Sequence, residues 1–214
     1  EGDTHGRAIT VRSDGEGSLI DLASLASFHD QNPNSWNLEG MSSITVSNQG
    51  TIHAPQLKTF RSVRLNLGSG GVLPISQIET LTFGGIVANG NYTFDKLFDI
   101  TWSTVTLNGG TATFPVASQV DGASFIVNSG TLSFPVAERY RHTLGTRINE
   151  VVFRASGSNS ILDLSNLTSL TSGNDLNDQF LIESLSGGKI RLGKVPSLID
   201  PEEGDTHGLS LIHI

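Results

Sequence analysis

The chain has no cysteine, which removes disulfides, thiolate metal sites and cysteine nucleophiles from consideration. Charge is scarce too, at 16% of 214 residues, so this is no self-repelling disordered segment. Basic residues are the rarer sign: 13 Lys and Arg against 21 Asp and Glu leave a net charge of −8. A surface of that sign lacks the basic footprint that a nucleic-acid backbone requires. No apolar run approaches the roughly 20 residues needed to cross a bilayer, so no membrane insertion is expected in this segment. Neither a Gly-x-Ser-x-Gly elbow nor a His-Glu-x-x-His helix occurs, which removes the commonest hydrolase signatures. An initiator Met and a signal peptide are also missing, and any export signal is expected to lie outside this segment.

Glycine is plentiful by contrast, with 24 residues, and the chain repeats itself. Residues 101–120 (TWSTVTLNGGTATFPVASQV) laid over residues 121–140 (DGASFIVNSGTLSFPVAERY) agree in almost every apolar position at an offset of 20. Each unit reads as a strand, a Gly-containing turn and a second strand, then apolar residues at spacings of three. A Gly or Ser opens the second strand and serves as anchor: Ser18, Gly50, Gly71, Gly90, Gly110, Gly130, Ser160 and Gly188. Two residues after the anchors stand Ile20, Ile52, Leu73, Tyr92, Ala112, Leu132, Leu162 and Ile190. Four after stand Leu22, Ala54, Ile75, Phe94, Phe114, Phe134, Leu164 and Leu192. Seven after stand Leu25, Leu57, Ile78, Leu97, Ala117, Ala137, Leu167 and Val195. Ten after stand Phe28, Phe60, Leu81, Ile100, Val120, Tyr140, Leu170 and Leu198.

The step of two between the first two columns specifies a strand with one buried face. The steps of three that follow suit a tight, irregular side, because a helix would need a longer amphipathic run. Pro55, Pro115 and Pro135 fall just after the strand, where a missing N–H ends pairing. Asn108-Gly109, Asn89-Gly90 and Gly187-Gly188 are expected to supply the positive φ of a corner. Stacked at the ~4.8 Å spacing of paired strands, such coils hide their columns against the coils above and below. Phe94, Phe114 and Phe134 then form an inward aromatic ladder. The expected fold is all-β, a single right-handed parallel β-solenoid (β-helix) of eight coils, its hand taken from the general crossover rule.

A longer repeat overlies the short one. EGDTHG at residues 1–6 returns at 203–208, an offset of 202. SLIDLASLASF at 18–28 matches SILDLSNLTSL at 160–170, an offset of 142. Residues 1–208 therefore read as one super-repeat of a longer array, its neighbours being adjacent repeats of the same chain. The tail 209–214 (LSLIHI) resembles translated adapter sequence and is assigned no function.

Anchor spacings run 32, 21, 19, 20, 20, 30 and 28, and every excess falls after the fourth column. The insertions are residues 30–37 (DQNPNSWN), 141–149 (RHTLGTRIN), 172–179 (SGNDLNDQ) and 200–208 (DPEEGDTHG). They are expected to leave one corner as a cluster of polar loops on a rigid scaffold, where binding usually resides. The candidate binding residues are Asp30, Asn32, Trp36, Arg141, His142, Arg147, Asn174, Asp175, Asp178 and His207. Asp200, Glu202, Glu203 and Asp205, with the matching Glu1, Asp3 and His5, are carboxylate-dense enough to suggest Ca²⁺. The spacing fits neither an EF-hand nor the Gly-Gly-x-Gly-x-Asp nonapeptide, and a solvated acidic turn is the competing reading. No other cofactor is expected.

Asp21 and Asp163 point outward three residues after their anchors, several coils apart, which is too far for a paired-carboxylate mechanism. His53 shares that outward position. Thr104/Thr106 and Thr111/Thr113 make Thr-x-Thr rows of the ice-binding kind in one coil only.

GTLSFPV and FRASGSNSILDLSNLTSL resemble large, secreted, repetitive β-solenoid proteins of environmental bacteria, the adhesin-like and haemagglutinin-like surface proteins. The Cys-free, Gly/Ser/Thr/Asn-rich composition suits such proteins. The resemblance implies a non-enzymatic, extracellular or cell-surface scaffold whose partner is a glycan or another surface protein. Two alternatives stand beside it: a carbohydrate-active β-helix enzyme (polysaccharide lyase or glycosidase), and a leucine-rich-repeat interaction domain with helical outer segments.

Overall fold

The computed structural model of the protein describes residues 8–31, 40–142, 150–173 and 179–201. Over these residues the chain is all-β, with strands of two to seven residues and no α-helix. Every strand pairing among them is parallel. The helical outer segments of a leucine-rich repeat are not found there.

One sheet takes eight strands in chain order, one from each sequence repeat: Thr10–Asp14, Ser42–Ser47, Val63–Leu67, Gly85–Ala88, Thr104–Leu107, Ser124–Val127, Glu150–Ser156 and Gln179–Leu185; each repeat is termed a coil below. Neighbours in this long sheet are consecutive visits of the chain. Thr10 lies beside Ser43, Ser43 beside Arg64, Arg64 beside Gly85 and Gly85 beside Thr104. A second row holds the strands that follow the anchors. It begins as the pair Leu19–Asp21 and Thr51–His53 and resumes as five strands from Tyr92–Thr93 to Lys189–Arg191. A third row starts with Ser27–His29, Thr59–Arg61 and Thr80–Thr82 and ends with Arg139–Arg141, Ser169–Thr171 and Leu198–Ile199. Single bridges from Thr80 to Asp99 and from Asp99 to Gln119 carry that row through the middle coils.

The irregular side of each coil is a β-turn, and this explains the step of three in the sequence. The residue seven after the anchor donates its N–H to the carbonyl four after it in every coil, from Leu25 to Leu22 at 2.9 Å through to Val195 to Leu192 at 3.1 Å. Pro55, Pro115 and Pro135 occupy the second position of this turn, where the fixed φ of proline is already correct. Their placement thus has a positive cause besides the loss of a donor.

The four columns meet inside. Ile52, Ala54, Leu57 and Phe60 of one coil are all at most 1% exposed, as are Ala112, Phe114, Ala117 and Val120 of another. Phe94 stacks on Phe114 at 4.6 Å between centroids and Phe114 on Phe134 at 4.8 Å, all three fully buried, as the sequence leads one to expect. The stack then crosses the interior through Phe125, 4.3 Å from Phe134, to Phe153 beneath the long sheet. Burying each ring contributes about 1.5–3 kcal/mol, and each well-placed pair about 0.5–1.5 kcal/mol more.

Close stacking also fixes the glycine corner. A Cβ on Gly110 would lie 2.2 Å from the carbonyl oxygen of Gly90, and one on Gly130 2.0 Å from that of Gly110. The positive φ expected in the Asn108-Gly109 turn falls on Gly110, at 80°, and not on Gly109. At Gly110 and Gly130 one residue both touches the coil below and takes the left-handed conformation, whereas in the Gly187-Gly188 pair Gly187 has the positive φ and Gly188 the close contact.

Candidate functional site

The chain leaves the third row and re-enters the long sheet at one corner, and the insertions are rooted there. A backbone ladder runs along it. Asp30 N–H donates to Arg61 O at 2.9 Å, Ser62 to Thr82 at 2.9 Å, Phe83 to Thr101 at 3.2 Å and Trp102 to Asp121 at 3.1 Å. Gly122 follows to Arg141 at 2.9 Å, His142 to Thr171 at 3.0 Å and Ser172 to Ile199 at 2.8 Å. Asp30, His142 and Ser172 stand at the roots of three insertions, and Ile199 precedes Asp200, the root of the fourth. The four intervening coils cross the same corner directly, at Ser62, Phe83, Trp102 and Gly122.

These crossings require a left-handed residue, with φ of 54° at Ser62, 55° at Phe83, 60° at Trp102 and 69° at Gly122. An L-residue there costs about 1–2 kcal/mol, so two large aromatics in the conformation are a feature to account for. Their rings stack along the corner, with centroids 6.4 Å apart and planes 15° from parallel. The Arg61 guanidinium carbon lies 4.5 Å from the Phe83 centroid, a cation–π contact. On the far side a Cβ at Gly122 would come within 2.5 Å of the Trp102 ring, so the indole lies flat against backbone that only glycine leaves open. His142 sits 6.2 Å beyond Trp102. The result is a strip across five coils: a cation, two half-buried aromatic rings, a glycine floor and a buried imidazole.

Buried hydroxyls hold the corner together by accepting backbone N–H groups that the strands leave over. Ser103 Oγ accepts from Gly84 at 3.2 Å and donates to Leu81 O at 2.9 Å. Ser124 Oγ accepts from Val152 N at 3.1 Å, and Ser42 Oγ from Ile9 N at 2.9 Å. Tyr140 donates its hydroxyl to Ala123 O at 3.0 Å. Burial, and secondarily the Asp121 charge, push that phenol well above its ordinary range, so it remains a donor.

The expected binding residues divide here. Asp30 is a clamp: its carboxylate accepts from Ser42 N at 2.8 Å and so closes the base of the first insertion. Arg141 is exposed on a third-row strand, its N–H bound to the Asp121 carboxylate at 2.8 Å. His142 is 2% exposed and belongs under the corner, not on a loop surface. Asn32, Trp36, Arg147, Asn174, Asp175, Asp178 and His207 lie outside the described residues.

Of the carboxylates considered for Ca²⁺, Asp200 is exposed. Glu202, Glu203 and Asp205, with Glu1, Asp3 and His5, lie outside the described residues. Among the described residues no three His, Asp or Glu side chains come together as a metal site.

The two outward aspartates are engaged separately, each by a side chain on the next coil. His53 Nδ1 is 3.0 Å from Asp21, and Arg191 donates to Asp163 at 2.8 Å. Partial burial works to raise the Asp163 carboxyl, but hydrogen bonds from Ser165 and Arg191 together outweigh it and hold the pKa below the usual carboxylate value.

Arg61, Phe83 and Trp102 escape the column reading, because none of them lies in an apolar column. Phe83, Trp102 and His142 do share one register, twelve residues after their anchors and two beyond the fourth column. Strict alternation from the buried fourth column would turn that position inward, as His142 is, whereas Phe83 and Trp102 are half-buried at a left-handed backbone. A ring recurring there in three coils is the signal that could have found the strip. Comparison with family models, curated proteins and solved structures gave no match to this chain.

Proposed function

We propose that the chain is a unit of a right-handed parallel β-solenoid that acts as a non-enzymatic, extracellular scaffold and binds glycan along the corner that carries its insertions. The observation that carries this reading is the Arg61–Phe83–Trp102 strip, rooted on the same ladder as all four insertions. Two bulky aromatics kept at positive φ on an outer corner do little for a core that is already closed beneath them. They suit a flat partner with apolar C–H faces and hydroxyl edges, which is what a sugar ring offers. The rings supply area at low entropic cost, and Arg61 supplies orientation. The solenoid reading is supported by parallel pairing between consecutive visits of the chain, because a parallel crossover within one sheet is right-handed in nearly all proteins.

The non-enzymatic reading is supported by the separation of Asp21 from Asp163, each bound to its own partner, His53 and Arg191, on a different sheet. Glycan-array binding with wild-type protein and Trp102→Gly tests the proposal. Glycine suits the positive φ, so the ring goes and the backbone stays. Binding that falls tenfold or more in the variant is expected. Equal binding by both proteins would remove the corner from the function, and cleavage of a polysaccharide would replace the scaffold with an enzyme.

A further inference from the structure

The first and last described coils present complementary edges. Val11, Ile20, Leu22 and Leu25 of the first coil are only partly covered, although most of their counterparts in the middle coils are buried, Leu73, Ile75 and Tyr92 being the exceptions. The last coil is the same, with Ile182, Ile190, Leu192 and Val195 partly covered and Leu198 39% exposed. Each end also has three strand edges that pair with no other described strand: Thr10–Asp14, Leu19–Asp21 and Ser27–His29 at one, Gln179–Leu185, Lys189–Arg191 and Leu198–Ile199 at the other. Because all strands run parallel, the first edge of one molecule has the polarity needed to continue the last edge of another.

We infer that the last coil stacks on the first coil of a second copy of this chain, head to tail, with Arg191 against Asp21 and Glu183 against Arg12.

Charge supports it at two of the three edges. Asp21 and Arg191 both stand three residues after their anchors, on the outward side of the second row. In the long sheet Ser13 and Ser184 are equivalent, since each bonds an anchor carbonyl, that of Ser18 and of Gly188. That equivalence sets Arg12 opposite Glu183 and Val11 opposite Ile182. Both junctions extend an alternation already present: Arg154 binds Glu183 at 2.6 Å, and Asp163 binds Arg191 at 2.8 Å. The contact is heterologous and does not close, so it builds filaments. It rests on the stacked-coil reading but not on glycan binding.

Sedimentation velocity across a concentration series tests the inference, with circular dichroism reporting the fold. Wild-type protein is expected to form oligomers that grow with concentration and shrink with salt. Arg191→Glu alone and Asp21→Arg alone each place like charges at the junction, and each should weaken association roughly tenfold or more. An equimolar mixture of the two variants restores opposite charges at every junction and should assemble again. Wild-type protein that stays monomeric with its β-spectrum intact, or oligomers indifferent to both variants, would overturn the inference and leave the stacked fold standing. Loss of the β-spectrum in the wild-type chain would sink both.

Discussion

The middle coils and the end coils carry the same residue types in the same columns, but most column residues at the ends are less covered. Ile52 is fully buried while Ile20, its direct partner in register, is partly exposed. Leu170 is 1% exposed and Leu198, next in its row, 39%. The coil supplies half of each contact and its neighbours the other half, so stability here is largely a property of interfaces between coils. A column residue gains little until something is stacked on it.

That contrast is sharpest when one column residue is truncated in each region. Phe114→Ala removes a ring stacked on both sides and should cost about 3–5 kcal/mol in urea unfolding. Leu198→Ala at the open end should cost under about 1 kcal/mol. Similar losses at both sites would mean that the end is covered in solution. A glycine pair repeats the comparison with a smaller effect. Gly110→Ala meets the Gly90 carbonyl at 2.2 Å and holds φ at 80°, so a loss of about 1–3 kcal/mol is expected. Gly193→Ala in the last coil meets nothing within 4 Å and should change stability by less than about 0.5 kcal/mol.

The smallest effect concerns pH. The Asp163 pKa is held below its ordinary 3.8, so its contribution is complete at neutral pH and is lost as pH falls through the folded value, below about 4. Asp163→Asn should flatten the acid limb of the stability–pH curve slightly. An unchanged acid limb in that variant would show that the Arg191 contact carries no net stabilisation.

Much of this was legible in the chain. The anchors, the four columns, the Phe94–Phe114–Phe134 ladder and the shared position of the insertions all follow from period and spacing. Burial of a repeated column is dictated by the repeat itself. The corner was less legible. Phe83 and Trp102 lie outside every apolar column, and nothing in either residue type announces a left-handed backbone. Arg61 reaches Phe83 from the neighbouring coil, a contact between residues 22 positions apart whose register depends on the turns between them. His142 reads as a loop residue because it falls within the 141–149 insertion, yet the Trp102 ring and the ladder bond to Thr171 place it inside.

The sequence alone determined that this chain is written as eight like repeats and which positions of each repeat are apolar, because those choices recur and local spacing enforces them. Only the tertiary structure decided which coil's cation meets which carboxylate, where the backbone must turn left-handed, and which columns remain uncovered at the ends. Those outcomes depend on contacts between coils, and a contact between coils is set by both partners and by the length of turn that separates them.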